Sequence, residues 1–300
     1  MNPLRSGVVY GVGAYAMWGL FPLYWPLVDQ ASAFEILAHR MVWTLLVVVV
    51  LLTVLRRWRA VRALPARAVG LLAVAAVVIS VNWGMFIWAV NNGHVVETSL
   101  GYFINPLVTV LVAVVVLRER LRRLQWVAIG LAGTAVLILT VNYGRPPWIS
   151  LVLAASFATY GLVKKKADVG AIESLAVETT IVLLPAAGYL IWLEANASGT
   201  FGHQGLGVDA LLVGAGVVTA MPLLCFGAAA TRIPLATLGL LQYLTPIMQF
   251  ALGVWVFHEA VPPVRWLGFA LVWLALIVFT AESFRHRRRA LRLSADASAV

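Results

Sequence analysis

The chain has 300 residues, 62% of them hydrophobic and 11% charged, with a formal net charge of +10 and a mean hydropathy of +0.93. A soluble domain is about half apolar and about a quarter charged, so these proportions exclude a water-soluble enzyme, a disordered chain and a secreted disulfide scaffold. The excess positive charge sits in short clusters between apolar runs, which is the pattern of membrane topology rather than of nucleic-acid binding.

A hydrocarbon core of about 30 Å calls for about 20 apolar residues per spanning helix. Ten runs approach that measure, near residues 7–27, 33–55, 68–90, 95–117, 124–142, 148–163, 172–193, 209–230, 235–256 and 264–283, the sixth being short. Backbone polar groups in lipid must bond internally, so each run is predicted as a helix and the fold class is all-α. Ala14-Tyr15-Ala16 looks like a signal-cleavage site, but the apolar run continues past it to Leu27, so a retained first span is expected. The breaks carry turn residues or charges: Arg56 to Arg67, Asn91-Asn92-Gly93, Arg118 to Arg123, Tyr143 to Pro147, and Lys164-Lys165-Lys166. The single Cys225 falls inside an apolar run and allows no disulfide framework.

Placing the N-terminus in the cytoplasm puts 19 of the 22 Lys and Arg residues on the inside, two (Arg145 and Arg265) outside, and Arg40 within a span. The positive-inside rule then predicts an inner-membrane protein with both termini cytoplasmic. The tail Arg285-His286-Arg287-Arg288-Arg289 is expected to stop transfer and to lie against anionic lipid.

The sequence repeats with an offset of 140: Pro106, Glu119 and Trp126 recur as Pro246, Glu259 and Trp266. Upstream, Glu35-x-Leu37-Ala38 resembles Glu173-x-Leu175-Ala176. Each copy holds five predicted spans, an odd number, so the second copy is inverted relative to the first. Two five-helix units, 1–142 and 143–284, followed by a basic tail at 285–300, are therefore expected. Inverted repeats are an architecture of transporters. Chance likeness among apolar helices is the competing account, and the spaced Pro, Glu and Trp argue against it.

Polar groups in hydrocarbon are costly enough that they usually face a cavity or a partner. Thr98, Tyr102, Asn105 and Thr109 follow helical spacing on the fourth span, and Gln242, Thr245 and Gln249 do so on the ninth. The offset pairs Tyr102 with Gln242, Asn105 with Thr245, and Thr109 with Gln249. Pro106 and Pro246 lie beside these stripes and are expected to kink the helices and free the carbonyls of Tyr102 and Gln242. Two readings stay open: a polar substrate pathway, or polar glue between helices. Asn82, Trp83, Trp88 and Asn91 on the third span would add aromatic walls and hydrogen bonds to a small-ligand site. Trp88 and Asn91 fit an interfacial belt equally well.

Ionisable residues within spans are few. Glu35, His39 and Arg40 lie on the second span, and Glu178 matches Arg40 on the seventh. Arg40 and Glu178 are separated by about 10 Å of depth in a core of about 30 Å, so each is expected to serve its own half. Arg40 would hold an anionic group; Glu178 would hold an amine or a proton, and with His39 and Arg40 is the candidate for proton coupling. The alternatives are outward snorkelling of Arg40 and a buried, hydrogen-bonded Glu178. Glu97 is expected to complement a helix dipole, and Glu119 and Glu259 to be structural, pairing with neighbouring arginines. No GxSxG, HExxH, Walker A or CxxC motif is present, so neither an enzyme nor a cofactor or metal is expected.

Asn82-Trp83, Trp88-Ala89-Val90-Asn91 and the run from Ser99 to Leu107 resemble the RarD group of EamA transporters, in the drug/metabolite transporter superfamily. His39-Arg40, Gln242-Tyr243-x-x-Pro246 and Phe257-x-Glu259 resemble the same group, and the likeness runs from about residue 7 to residue 284. The resemblance implies a ten-helix inner-membrane permease with two EamA repeats, and it adds Tyr243 to the candidate pathway. The RarD label is associated with chloramphenicol sensitivity, while the superfamily is mostly metabolite, amino-acid and drug exporters. Glu178 departs from the pattern of the first repeat, so no substrate transfers from better-known members. The expected function is a secondary transporter working by alternating access, exporting a small organic metabolite or drug. Its partners would be that solute, the bilayer, protons and a second copy of the chain, with no nucleic acid. A passive facilitator or channel and a non-transporting membrane enzyme or receptor are the rival classes.

Overall fold

The computed structural model describes residues 3–117, 123–230, 232–233 and 235–298, and every regular element among them is helical. In chain order these are α1 (Pro3–Tyr24), a 3₁₀ turn (Trp25–Val28), α2 (Ala33–Val54), the short α3 (Trp58–Arg62), α4 (Ala66–Asn91), α5 (Val95–Leu117) and α6 (Arg123–Tyr143). The second part holds α7 (Trp148–Ala167), α8 (Ala171–Ala195), α9 (Leu206–Ala230), α10 (Leu235–Leu241), α11 (Leu244–Trp255) and α12 (Pro263–Ser298). Seven of them are long and apolar enough to cross a membrane: α2, α4, α5, α6, α8, α9 and α12, with α11 a shorter apolar helix. The expected first and sixth spans are α1 and α7, and α7 is longer than its apolar run because it continues through the lysine cluster.

Local chemistry sets the ends. Ser32 caps α2 by accepting the Glu35 N–H at 3.2 Å. Asp168 stops α7 in a left-handed conformation, φ 50°, and Gly93 and Gly144 turn the chain at φ 71° and 66°.

Two expectations about the prolines separate here. Pro106 sits inside an unbroken α5. The predicted ninth helix, 235–256, is instead divided into α10 and α11, with Gln242 and Tyr243 between them. The Gln242 N–H reaches Leu238 and the Tyr243 N–H reaches Leu240, the second a tighter three-residue step. Pro246 has no N–H to return to the Gln242 carbonyl, so helical bonding restarts only beyond it. The segment expected as a loop at 56–67 contains α3, and the expected separate tail is backbone-continuous with α12. Glu119 lies outside the described residues.

Antiparallel succession leaves one end of the bundle rich in Lys and Arg, at 56–67 and 164–166, and the other poor in them. At the basic-poor end, a buried cluster of Phe21, Trp25, Val28, Ile36, Phe86, Ile87, Val95, Ile149, Leu153 and Leu212 joins α1, α2, α4, α5, α7 and α9. Three carboxylates tie distant segments. Glu35 accepts the Thr200 N–H at 2.6 Å and its hydroxyl at 2.9 Å. Glu173 pairs with Arg57 at 2.7 Å. Glu259, expected to pair with an arginine, accepts the N–H groups of Val95 (2.5 Å) and Val96 (2.9 Å), so it caps α5 from across the molecule. Burial pushes the Glu259 carboxyl up, while those two N–H groups pull it down.

Close approach of helices depends on small residues. A methyl group added at Gly216 of α9 would lie 2.5 Å from the Trp43 carbonyl carbon of α2, whereas one added at Gly130 of α6 meets nothing within 4 Å. Gly216→Ala is therefore expected to cost about 1–3 kcal/mol by overpacking, read as a lower melting temperature in detergent. Gly130→Ala should leave melting unchanged or raise it.

Candidate functional site

A cavity of about 430 Å³ occupies the middle of the bundle and runs toward the basic end. At mid-depth it is lined by Arg40, Trp83, Tyr102, Asn105, Thr219, Gln242, Thr245 and Gln249, and toward the basic end by Val48, Leu51, Lys164, Ala171 and Leu224. The aromatic rings of Tyr15, Trp18, Phe21, Phe86, Phe157, Tyr160 and Phe226 complete the walls. The other end is filled by the buried cluster described above, so the cavity is closed there.

The polar stripe of the ninth predicted span enters the cavity because α11 is tied to α1. Thr245 Oγ1 donates to the Tyr15 carbonyl at 2.8 Å, and Gln249 Nε2 donates to the Trp18 carbonyl at 3.3 Å. Pro22 lies four residues beyond Trp18 inside α1, so that carbonyl has lost its helical donor and Gln249 replaces it. Buried Gln249 Oε1 keeps no partner. Thus Thr245 and Gln249 both line the cavity and hold two helices together. On the opposite wall, the Tyr102 hydroxyl donates to Asn82 Oδ1 at 3.4 Å. Asn82 itself is fully buried, and its Nδ2 donates to the Leu153 carbonyl and to Ser156 Oγ, each at 2.9 Å. Asn82 therefore positions Tyr102 from behind the cavity wall.

Arg40 does not snorkel: it is 2% exposed. Its Nε donates to Thr219 Oγ1 at 2.8 Å, and its guanidinium carbon stands 3.8 Å from the Trp83 ring centroid, a cation–π contact. Glu178 is also 2% exposed and pairs with Lys164 at 2.7 Å, while accepting the Tyr160 hydroxyl at 3.1 Å. Lys164 also bonds Ser174. Arg40 and Glu178 make no ion pair with each other among the described residues.

Other sequence candidates fall outside this cavity. Trp88 stacks on His94 and packs against Trp148 near the basic-poor end, with Asn91 beside that end of α4. Thr109 is exposed and reaches only Asn105, at 3.5 Å. Tyr243 packs against the α5–α6–α12 cluster instead. His39 is buried, where its Nδ1 accepts the Trp43 indole N–H at 3.3 Å and its ring lies 5.0 Å from that of Phe201. Thr98 turns its hydroxyl back to the Val95 carbonyl of its own helix, at 2.7 Å.

Sequence reasoning missed Lys164, Thr219 and Pro22. Lys164 was counted only as a topology charge, and the usable signal was its position within α7, a helix that the sixth span underestimated. Thr219 and Pro22 carried no pattern that set them apart from packing residues.

A bundle too apolar for water, wrapped round a largely apolar cavity with a few fixed polar groups, defines a multi-pass membrane protein built to hold a solute. Residues 5–141 match the EamA-like transporter family. Protein RarD of Streptomyces exfoliatus is 60% identical over 100% of this chain and 96% of that protein. Protein RarD of Escherichia coli K12 is 42% identical over 95% of this chain and 97% of that protein. A relative from Pseudomonas aeruginosa named chloramphenicol-sensitive protein RarD is 31% identical, over 96% of this chain and 97% of that protein. One solved crystal structure, 17% identical, covers 92% of this chain and 97% of its own with a TM-score of 0.59, a likeness of fold alone. The chain belongs to the EamA-like transporters, in the RarD group.

The Lys164–Glu178 pair yields a stability test. Lys164→Met leaves a buried carboxylate without its cation and is expected to cost about 2 kcal/mol, measured as a fall in unfolding midpoint. The double variant Lys164→Met with Glu178→Gln should recover part of that loss, because both charges are then gone.

Proposed function

We propose that this protein is a secondary transporter of the inner membrane that exports a small organic metabolite or drug by alternating access. Ten crossings are assigned: α1, α2, α4, α5 and α6 in the first repeat, and α7, α8, α9, α10–α11 and α12 in the second, with the basic tail and both termini in the cytoplasm. The observation that carries the reading is a central cavity whose walls take offset-related residues from both halves: Tyr102 with Gln242, and Asn105 with Thr245.

The packing supports two inverted units. Exchanging the halves turns the α4–α7 contact into α9–α1, α5–α7 into α11–α1, and α2–α9 into α8–α4, and all six contacts occur. The α2–α8, α5–α11 and α6–α12 contacts map onto themselves. Such a molecule has two similar energetic arrangements, one open to each side. The positive-inside rule makes the basic end cytoplasmic, so the cavity described here faces inward and is sealed outward by the apolar cluster and the Glu259 cap.

A carrier is favoured over an open pore because one end of the cavity is filled by buried side chains. Glu178, held between Lys164 and Tyr160 beside the cavity, is assigned the proton-coupling role, since taking up a proton from solution, or releasing one to it, changes the charge of that cluster next to the bound solute.

Three outcomes are expected in proteoliposomes. A preloaded substrate should accelerate uptake of its labelled form, whereas equal rates with empty and loaded vesicles would indicate a pore. Asn105→Leu and Gln242→Leu should each lower transport at least about tenfold, the scale of one lost charge-free hydrogen-bonding contact or two, with normal expression and size-exclusion profile; loss of expression would instead point to helix packing. Glu178→Gln should abolish stimulation by a pH gradient while leaving counterflow measurable, and an unchanged response to the gradient would remove the coupling role.

A further inference from the structure

We propose that the cavity selects a small organic monoanion, a monocarboxylate on an aromatic or otherwise apolar body, and that the Arg40 guanidinium binds its carboxylate. The inference deepens the transporter reading and rests on it only for the claim that the bound molecule is cargo.

The argument begins with a charge that has no counter-charge. Arg40 is 2% exposed and lines the cavity. Its Nε is taken by Thr219, but buried Nη1 has no hydrogen-bond partner. No ion pair involves Arg40, and no Asp or Glu lines the cavity among the described residues. Arginine keeps its proton in proteins, and a buried charge without a counter-charge is costly. The rings of Trp83, Trp25 and Phe21 stand 3.8, 5.3 and 5.6 Å from the guanidinium carbon and offset part of that cost through cation–π attraction. They leave Nη1 unsatisfied.

The second cation on the cavity wall decides how much negative charge the ligand carries. Lys164 lies 2.7 Å from Glu178, and that pair is neutral as a unit wherever its proton resides. The lining is therefore one positive charge in excess, and the ligand that neutralises it carries one negative charge. A carboxylate meets this count and matches the planar N–H fork of arginine. A phosphate monoester, at about −1.5 to −2 near neutral pH, overshoots it. An α-amino acid brings an ammonium group that needs a carboxylate, and Glu178 already holds Lys164 and the Tyr160 hydroxyl. A plain amine adds a second positive charge beside Arg40. The remaining walls are aromatic, with Trp18, Phe157 and Phe226 facing the same space, and the volume of about 430 Å³ suits a compact ligand.

The test needs no variant at its core. Full-length protein in nanodiscs is titrated with three matched sets followed by tryptophan fluorescence: benzoate with benzamide, phenylacetate with phenylacetamide, and indole-3-acetate with indole-3-acetamide, alongside phenylalanine and phenethylamine. At least one carboxylate should bind about tenfold or more tighter than its own amide, the effect of one charge-assisted contact, and tighter than the zwitterion and the amine. Arg40→Gln should reduce that ratio to near one, and Arg40→Lys should restore part of it. Equal binding of every acid and its amide, or preference for the amine, overturns the inference whether or not the variants fold. Counterflow of the same compounds and of uncharged chloramphenicol then separates the two claims. Exchange of chloramphenicol alone keeps the carrier and removes the anion site; acid-selective binding without any exchange keeps the anion site and removes the carrier.

Discussion

Hydrocarbon offers no hydrogen bonds, and that absence organises the molecule. Every regular element among the described residues is helical, and polar side chains such as Arg40, Asn82, Glu178 and Gln249 are buried, where they meet each other or the cavity. Arg40 shows the constraint at its most demanding. It is folded inward against Trp83 and Thr219 instead of reaching for the interface, so the wall that holds it must combine aromatic faces with a hydroxyl. The cavity gains its character from that compromise: an apolar chamber with a few fixed polar points.

The same economy of polar groups ties the ends of the bundle. Glu35 and Glu173 occupy equivalent places at the starts of α2 and α8. Each grips a segment following the other's helix: Glu35 takes Thr200 after α8, and Glu173 takes Arg57 after α2. Glu259 satisfies two N–H groups at the start of α5 that would otherwise be orphaned in a buried setting. These contacts lie between segments far apart in sequence, so any rearrangement of one half against the other must break or re-form them.

The paired polar positions are legible in the sequence because an offset repeat is independent of orientation. Tyr102, Asn105, Gln242 and Thr245 announced themselves through it, and the cavity brings them together. Thr109, paired by the same offset, faces elsewhere, as do Trp88, expected as part of an aromatic wall, and Tyr243, which the family resemblance adds. Helical spacing fixes how residues stand relative to each other round one axis, but not which neighbour that face meets. Thr109 lies far enough along α5 to leave the cavity. Trp88 lies near the end of α4, where His94 and Trp148 claim its ring. Lys164 illustrates the opposite failure, since a lysine at a helix end satisfies the topology rule whether its amine meets solvent or folds back to Glu178.

The sequence by itself determined the solvent, the helical class, the charge asymmetry of the two ends and the repeat, because each depends on composition or on spacing along one chain. Tertiary structure alone decided that Arg40 stays inside without a carboxylate, that Glu178 is matched with Lys164 and Tyr160, that Gln249 replaces the donor lost to Pro22, and that the cavity opens toward one end. Those outcomes depend on how helices rotate and cross, and the energies that set rotation come from contacts between different helices, some neighbouring in sequence, as for Glu178 with Lys164 and Tyr160, and some far apart, as for Arg40 with Thr219 and Gln249 with Trp18, which no local pattern encodes.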